Sequence, residues 1–313
     1  MIESLLWVEK YRPQTIEDCI LPESVKNTLL DVVNQNRIPN MMFTGTSGIG
    51  KTTAARAICT ETQADCLVIN GSDEGRMIDT LRGKLTQYCS TISLSGGRKV
   101  VIIDEADYMN ADSVQPAMRN FIEKFADNCS FIFTCNYKNR IIEPIHSRCS
   151  VIDFSLTNGE KPIIASRFMK RVENILSEES IDYDKDVIAK LVLKHFPDFR
   201  RVLNELQRYS TSGEINSGVL ANIKELNLKE LMSSLRDKNF SKMRQWVVAN
   251  VDNDPATVYR KIYDELYNVV DKGSIPQAVL TIAEYQYKSA FVADQEINLV
   301  ACLVELMAEC EFV

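Results

Sequence analysis

Histidine is nearly missing from this chain of 313 residues, which has only His146 and His195. Its nine cysteines (Cys19, Cys59, Cys66, Cys89, Cys129, Cys135, Cys149, Cys302 and Cys310) include no Cys-x-x-Cys pair. A zinc site of the usual spacing therefore cannot be assembled locally. Odd in number and scattered, the cysteines read as buried, reduced thiols of a reducing compartment. Long apolar runs are also lacking. In the strand-like segments the longest runs, such as Val100–Ile103, are only a few residues, far short of the ~18 residues a membrane helix needs, so no membrane is expected. Glu3 stands where a signal peptide would be basic and no cleavage pattern follows, so the expectation is a cytoplasmic protein. An excess of positive charge is absent too: 36 basic against 43 acidic groups leave −7. Such a chain does not coat nucleic acid, and any contact with DNA must come from a local basic surface. What is present, 45% hydrophobic and 25% charged residues, is ordinary for a globular chain with a full core and excludes disorder and collagen-like repeats.

Glycine is unevenly spread. Eight of the twelve glycines lie between positions 45 and 97, and only Gly273 lies beyond position 218. In the punctuated first half, short apolar runs alternate with helical patterns. Met41–Thr44, Cys66–Ile69, Val100–Ile103, Phe131–Cys135 and Ser150–Phe154 read as strands. Continuously apolar strands separated by helices predict a parallel sheet covered on both faces. From Asn158 onward no strand pattern is seen. Ile163, Ile164, Phe168, Met169, Val172, Ile175 and Leu176 follow a 3.6-residue period, and Ile181–Phe196 and Arg200–Tyr209 repeat it. From Leu226 to Val313 the chain reads as amphipathic helices, broken at Asp254-Pro255 and at Gly273–Pro276. The expected organisation is an α/β domain over residues 1–155, an all-α lid over 156–215 and a C-terminal all-α domain over 222–313.

Gly45-Thr46-Ser47-Gly48-Ile49-Gly50-Lys51-Thr52 fits the phosphate loop G-x-x-x-x-G-K-[ST] between a strand and a helical run. Glycines let successive N–H groups turn inward at a helix N-terminus, whose dipole favours anions. Lys51 then supplies a point charge for the β- and γ-phosphates, and Thr52 a hydroxyl for Mg²⁺. Val100–Ile103 is a buried strand that ends in Asp104-Glu105. At the carboxyl edge of a central parallel strand, Asp104 would hold Mg²⁺ directly or through water, and Glu105 would polarise the attacking water. Asn136, at the exit of Phe131–Cys135, would orient that water or contact the γ-phosphate. The nucleotide-binding set is thus Gly48, Ile49, Gly50, Lys51, Thr52 and Thr53.

Trp7–Pro13 (Trp-Val-Glu-Lys-Tyr-Arg-Pro), Asp104-Glu105-Ala106-Asp107 and Ser147-Arg148-Cys149 together resemble the small ATPase subunits of sliding-clamp loaders, within the AAA+ class. Ile20-Leu21-Pro22, Asn70–Asp73 and Phe196–Arg200 resemble the branch found in T-even-type bacteriophages. The resemblance implies an ATP hydrolase stimulated by clamp and DNA. Its ATP binding opens a ring-shaped sliding clamp and engages primer–template DNA, and hydrolysis releases the closed clamp. It implies Arg148 as an arginine finger acting on a neighbouring copy's ATP, and Arg200, or in an alternative register Arg201, as a second sensor over the γ-phosphate. Val8, Lys10, Tyr11 and Ile20 would form the adenine pocket, although Tyr11 fits an ordinary core position equally well. The implied partners are further copies of the chain, four in all, a non-identical fifth subunit, the clamp and DNA; the compartment would be the host cytoplasm for a phage-encoded chain. The alternative reading is an ATP-switch adaptor that recruits a helicase or remodels protein with little turnover.

Residues 76–99 carry Arg76, Arg82, Lys84, Arg98 and Lys99 against Asp79 alone. Either this is a solvated basic face or Arg76, Arg82 and Lys84 track a DNA backbone, as the resemblance implies. Phosphate contacts of that kind give affinity without base reading. A helix through Asp112–Arg119 must carry Pro116 near its first turn, with Asp112 or Ser113 as the cap. By resemblance, Gln115 and Arg119 on it couple DNA contact to Glu105. Met109 or Leu94 is the apolar side chain expected at this edge to enter the clamp.

Overall fold

The computed structural model describes residues 6–73, 78–93, 98–211, 213–215, 228–250, 255–289, 291–292 and 294–312. The chain divides into two compact units, residues 1–219 and 220–313.

Five strands form the sheet of the first unit: β1 (Met41–Thr44), β2 (Asp65–Asn70), β3 (Lys99–Asp104), β4 (Cys129–Cys135) and β5 (Ser150–Asp153). Their order is β2-β3-β4-β1-β5, and every pairing is parallel. β1, β3 and β4 are buried at nearly every position because the sheet is covered on both faces. Met42, Val101, Ile103, Phe131 and Phe133 pack on one side, and Met41, Phe43, Val100, Ile102 and Ile132 on the other. Helices α2 (Glu23–Asn34) and α3 (Lys51–Glu61) supply Leu29 and Ile58 to the second layer. Helices α4 (Ile78–Cys89) and α5 (Val114–Lys124) supply Leu85 and Met118 to the first. Truncating a buried phenylalanine such as Phe133, fully excluded from solvent, removes about 3–5 kcal/mol.

Register brings the site together. Thr44 stands opposite Cys135 and Asp153, and Asn70 opposite Asp104. The segments leaving β1, β3 and β4 therefore emerge side by side at the carboxyl edge, where open α/β sheets bind ligands. The short α1 (Trp7–Lys10) precedes this layer, and α6 (Glu143–His146) leads into β5.

Three helices follow: α7 (Glu160–Glu178), α8 (Lys185–His195) and α9 (Phe199–Ser210). The expectation of no strand past Asn158 is corrected here. Asp182–Tyr183 (β6) pairs in parallel with Glu214–Ile215 (β7), and two residues are too few to leave an alternating pattern. The helix read over Ile181–Phe196 begins only at Lys185, because Asp184 caps it and accepts from the Asp186 N–H at 2.9 Å. Two cysteines also depart from the expected burial: Cys66 is exposed and Cys149 half-buried.

The second unit is helical, with helices Leu228–Arg236, Phe240–Asn250, Pro255–Val269, Ile275–Lys288 and Gln295–Glu309. Leu231, Trp246, Tyr259, Leu266, Leu303 and Leu306 centre its core. Asn298 is buried there and donates to the Tyr259 hydroxyl at 2.9 Å, as a buried amide must. Among the described residues no helix is long and apolar enough to cross a membrane.

Candidate active site

β1 runs into the loop Gly45–Gly50, and α3 starts at Lys51. Gly48 (φ +74°) and Gly50 (φ +101°) adopt left-handed backbone that a side chain would strain. At Gly48 a Cβ would also lie 1.8 Å from Asp198 Oδ1. No side chain caps α3, so its first N–H groups are left for an anion. Lys51 is buried and donates to the carbonyls of Gly45 and Thr46 and to Asn136 Oδ1, each at 2.8 Å. Burial pulls its ammonium below the ordinary lysine range.

A second set of bonds joins the helix to β3 and β4. The Thr52 hydroxyl donates to Asp104 Oδ1 at 2.6 Å, and the Thr134 hydroxyl donates to the same oxygen. The Glu105 N–H in turn donates to Thr134 Oγ1 at 3.1 Å. Glu105 has φ +53°, a left-handed conformation costing a non-glycine residue roughly 1–3 kcal/mol, and its side chain lines the cleft. Two residues on, the buried Asp107 accepts from the N–H groups of Asn136 (3.3 Å) and Tyr137 (3.1 Å) through Oδ2. Its Oδ1 is buried without a partner.

The cleft encloses about 1090 Å³ including its mouth, against about 300–1,000 Å³ for small-molecule sites. Val8, Tyr11 and Ile20 wall one end, while Gly48, Ile49, Gly50, Lys51, Thr52 and Thr53 form the other with Asp104, Glu105, Asn136 and Arg200. Of the two lid arginines, Arg200 lines the cleft, whereas Arg201 lies by His195 and lowers its pKa after burial does. Asp198 caps α9 by accepting from the Arg201 N–H at 3.0 Å, and the Phe199 N–H donates to Gly48 O at 3.2 Å. Lys10 is not in the cleft lining: its ammonium reaches Glu179 at 2.9 Å.

Other expected residues lie elsewhere. Arg148 is outside its own chain's cleft. Its Nε and Nη2 donate to Glu123, the former at 2.9 Å, and its Nη1 donates to Pro144 O at 2.7 Å. That pairing holds the Glu123 carboxyl below its usual range. Gln115 is fully buried; it donates to Met109 O (3.1 Å) and Arg140 O (3.0 Å) and accepts from the Ile142 N–H (2.8 Å). It thus ties the segment after Glu105 to the segment leading to Arg148. Arg119, Arg82 and Lys84 are exposed, while Arg76 and Leu94 fall outside the described residues. Met109 is 3% exposed and cannot enter a partner; Ile92, just beyond the end of α4, is 88% exposed. The expected cap of α5 also differs: neither Asp112 nor Ser113 caps through its side chain, and Asn110 Oδ1 instead accepts from the N–H groups of both. Residue-by-residue reading assigned no role to Thr134, Asp107, Asp198 or Glu179. Asp107 and Asp198 left a signal, within Asp104-Glu105-Ala106-Asp107 and Phe196–Arg200.

Phosphate loop, strand-end carboxylates and polar β4 exit on a five-stranded parallel sheet, with a helical lid, define an AAA+-type ATPase. Residues 41–156 match the family "ATPase family associated with various cellular activities (AAA)", and residues 161–221 match "Sliding-clamp-loader large subunit, AAA+ ATPase lid domain". The chain is similar to the sliding-clamp-loader large subunit of Enterobacteria phage T4, at 34% identity over 97% of this chain and 96% of the relative. The corresponding subunit of Escherichia phage RB69 is 33% identical over 96% and 95%. A replication factor C small subunit of Methanosphaera stadtmanae is 31% identical over 89% of each. In fold the chain also resembles a RuvB variant of Thermotoga maritima, with TM-score 0.53 and 17% identity over 80% of this chain and 81% of that one. The chain belongs to the family of sliding-clamp-loader ATPase subunits and is an ATP hydrolase.

Proposed function

We propose that this chain is the motor subunit of a clamp loader, active in the host cytoplasm. In this reading four copies and a non-identical fifth subunit form a spiral, held by residues 222–313 as a collar and driven by the core (1–155) and lid (156–215). ATP binding opens the ring-shaped sliding clamp and engages primer–template DNA along Arg76, Arg82 and Lys84; hydrolysis to ADP and phosphate releases the closed clamp. One observation carries this reading: each chain has a nearly complete ATP site but holds Arg148 outside it.

The residues fit the nucleotide and its metal. The glycine loop offers unpaired N–H groups, and a hydroxyl and a carboxylate already share a hydrogen bond, the hard-oxygen set that Mg²⁺ takes. Thr52 and Asp104 would hold Mg²⁺, which when bound would neutralise negative charge on the phosphates. Lys51 and Arg200 bind the phosphates of their own chain's nucleotide. Glu105 takes the proton of the attacking water, and Asn136, anchored by Lys51 and Asp107, orients that water. Arg148 of the neighbouring copy completes the site. Gln115 and Arg119 transmit DNA contact to Glu105.

The Glu105→Gln variant, assembled with its fifth subunit, clamp and primed DNA, tests the reading. It should bind ATP and clamp normally and lose about 10²–10⁴-fold in turnover, the usual worth of a general base. If the variant works nearly as well as the wild type despite the change, the chain is an ATP-switch adaptor instead.

A further inference from the structure

The lid closes the cleft at two separate places. At the phosphate end, α9 rests on the phosphate loop through Asp198 and Phe199. At the base end the closure belongs to α7. Phe168, Arg171 and Ile175, spaced by three and four residues, line the cleft from that helix, and Glu179 continues the row at its C-cap. Such spacing puts the four on one helix face.

Glu179 does not line the cleft, yet it holds a residue that does. Its Oε1 accepts from the Tyr11 hydroxyl at 2.6 Å and from the Lys10 ammonium at 2.9 Å. Arg171 donates to the Tyr11 carbonyl at 3.2 Å. Tyr11 is therefore gripped from α7 at both its ring tip and its backbone, while its ring forms part of the apolar wall. The electrostatics agree with a built contact. Burial, and then the bond to Glu179, push the phenol up to about 12, and the bonds from Tyr11 and Lys10 hold the carboxyl below its usual range. Lys10 likewise acts away from the nucleotide, as the second cation on this carboxylate. Charge-assisted bonds of this kind are among the stronger ones available to a partly exposed site.

We propose that Glu179 is a positioning residue for the base half of the nucleotide: from the lid it fixes the Tyr11 ring against adenine without touching the ligand. The inference rests on the cleft being the ATP site. Because the phosphate end is anchored independently through Gly48, losing Glu179 loosens base recognition and leaves phosphate recognition in place.

The full-length chain is titrated with a ribose-labelled fluorescent ATP analogue, using unlabelled ATP and inorganic tripolyphosphate as competitors. For Glu179→Ala, ATP affinity is expected to fall roughly tenfold, the effect of one lost charge-assisted bond, with tripolyphosphate affinity within about twofold of the wild type. In the assembled ATPase the KM for ATP rises by the same factor while kcat at saturating ATP holds. Glu179→Gln, whose amide oxygen still accepts from Tyr11, recovers most of the loss. Equal losses for ATP and tripolyphosphate, or no loss for either, would overturn the proposal. A wild-type chain that binds no ATP would instead overturn the reading of the cleft itself.

Discussion

Asp107 offers the sharpest test of how the catalytic edge is held. The carboxylate is 5% exposed, and Oδ2 accepts from the N–H groups of Asn136 and Tyr137 at 3.3 and 3.1 Å. Asp107→Ala removes both bonds and leaves two backbone donors behind. A bond to a charged group contributes about 1.5–3 kcal/mol and a stranded buried donor costs about 1–3 kcal/mol; the first contact is long, so roughly 2–4 kcal/mol in total is expected. For a unit of this size that corresponds to a Tm shift of roughly 4–16 °C, at about 2–4 °C per kcal/mol. The effect should also reach the chemistry, because Asn136 Oδ1 is a ligand of the Lys51 ammonium. A displacement of about 1 Å at such a group lowers turnover about 10²-fold. Asp107→Asn separates the two roles of the carboxylate. Its oxygen can keep both N–H bonds, with the NH₂ turned to the position where Oδ1 has no partner. It should therefore lose about half the bond strength, since charge-assisted bonds are about twice as strong as neutral ones, and keep most of the turnover. The assays are thermal unfolding followed by circular dichroism and steady-state ATPase of the assembled loader. Wild-type stability and turnover in Asp107→Ala would refute the argument; equal damage from Asn and Ala would show that charge, not the hydrogen bonds, is what matters.

Two further outcomes are expected. Arg148→Ala and Lys51→Ala should each abolish turnover alone, the former by about 10³–10⁵-fold, yet mixed assemblies should recover activity where an intact Lys51 site meets an intact Arg148; mixtures that stay inactive would rule out action between copies. Arg82→Ala with Lys84→Ala should flatten the dependence of log K for primed DNA on log salt by roughly 0.9 for each duplex phosphate no longer neutralised and leave ATP affinity without DNA intact; an unchanged slope would remove these residues from the DNA track.

The fold of the first unit was legible to within a residue or two at most strand ends, because a sheet covered on both faces requires continuous apolar runs that water-facing segments do not show. Where the pattern misled, elements were short or helices were capped from a distance. β6 and β7 have two residues each, too short for any period. Met109 looked like an exposed apolar residue after a strand; a single turn of 3₁₀ helix, Ala106–Tyr108, folds it inward, and Gln115 bonds its carbonyl.

The two halves of the site differ in legibility for a reason that lies in the ligand. A polyphosphate needs many convergent N–H groups, and only consecutive residues in unusual backbone conformations provide them, so the requirement is written within eight positions as glycines and a lysine. Adenine needs only flat apolar walls, which any part of the chain can bring. In the proposed site they come from the N-terminal arm and Ile20 on one side and from α7 on the other, roughly 150 residues apart along the chain. The polar contacts fixing such walls are longer-range still: Lys10 and Glu179 are 169 residues apart. No local spacing constrains that pair, so Lys10 could be assigned to the nucleotide by resemblance while its ammonium serves the lid. The same reasoning explains Asp107 and Gln115: each satisfies backbone groups of a segment more than twenty residues away. The motifs thus mark the residues proposed to touch phosphate, and the residues that hold them in place must be read from the packed structure.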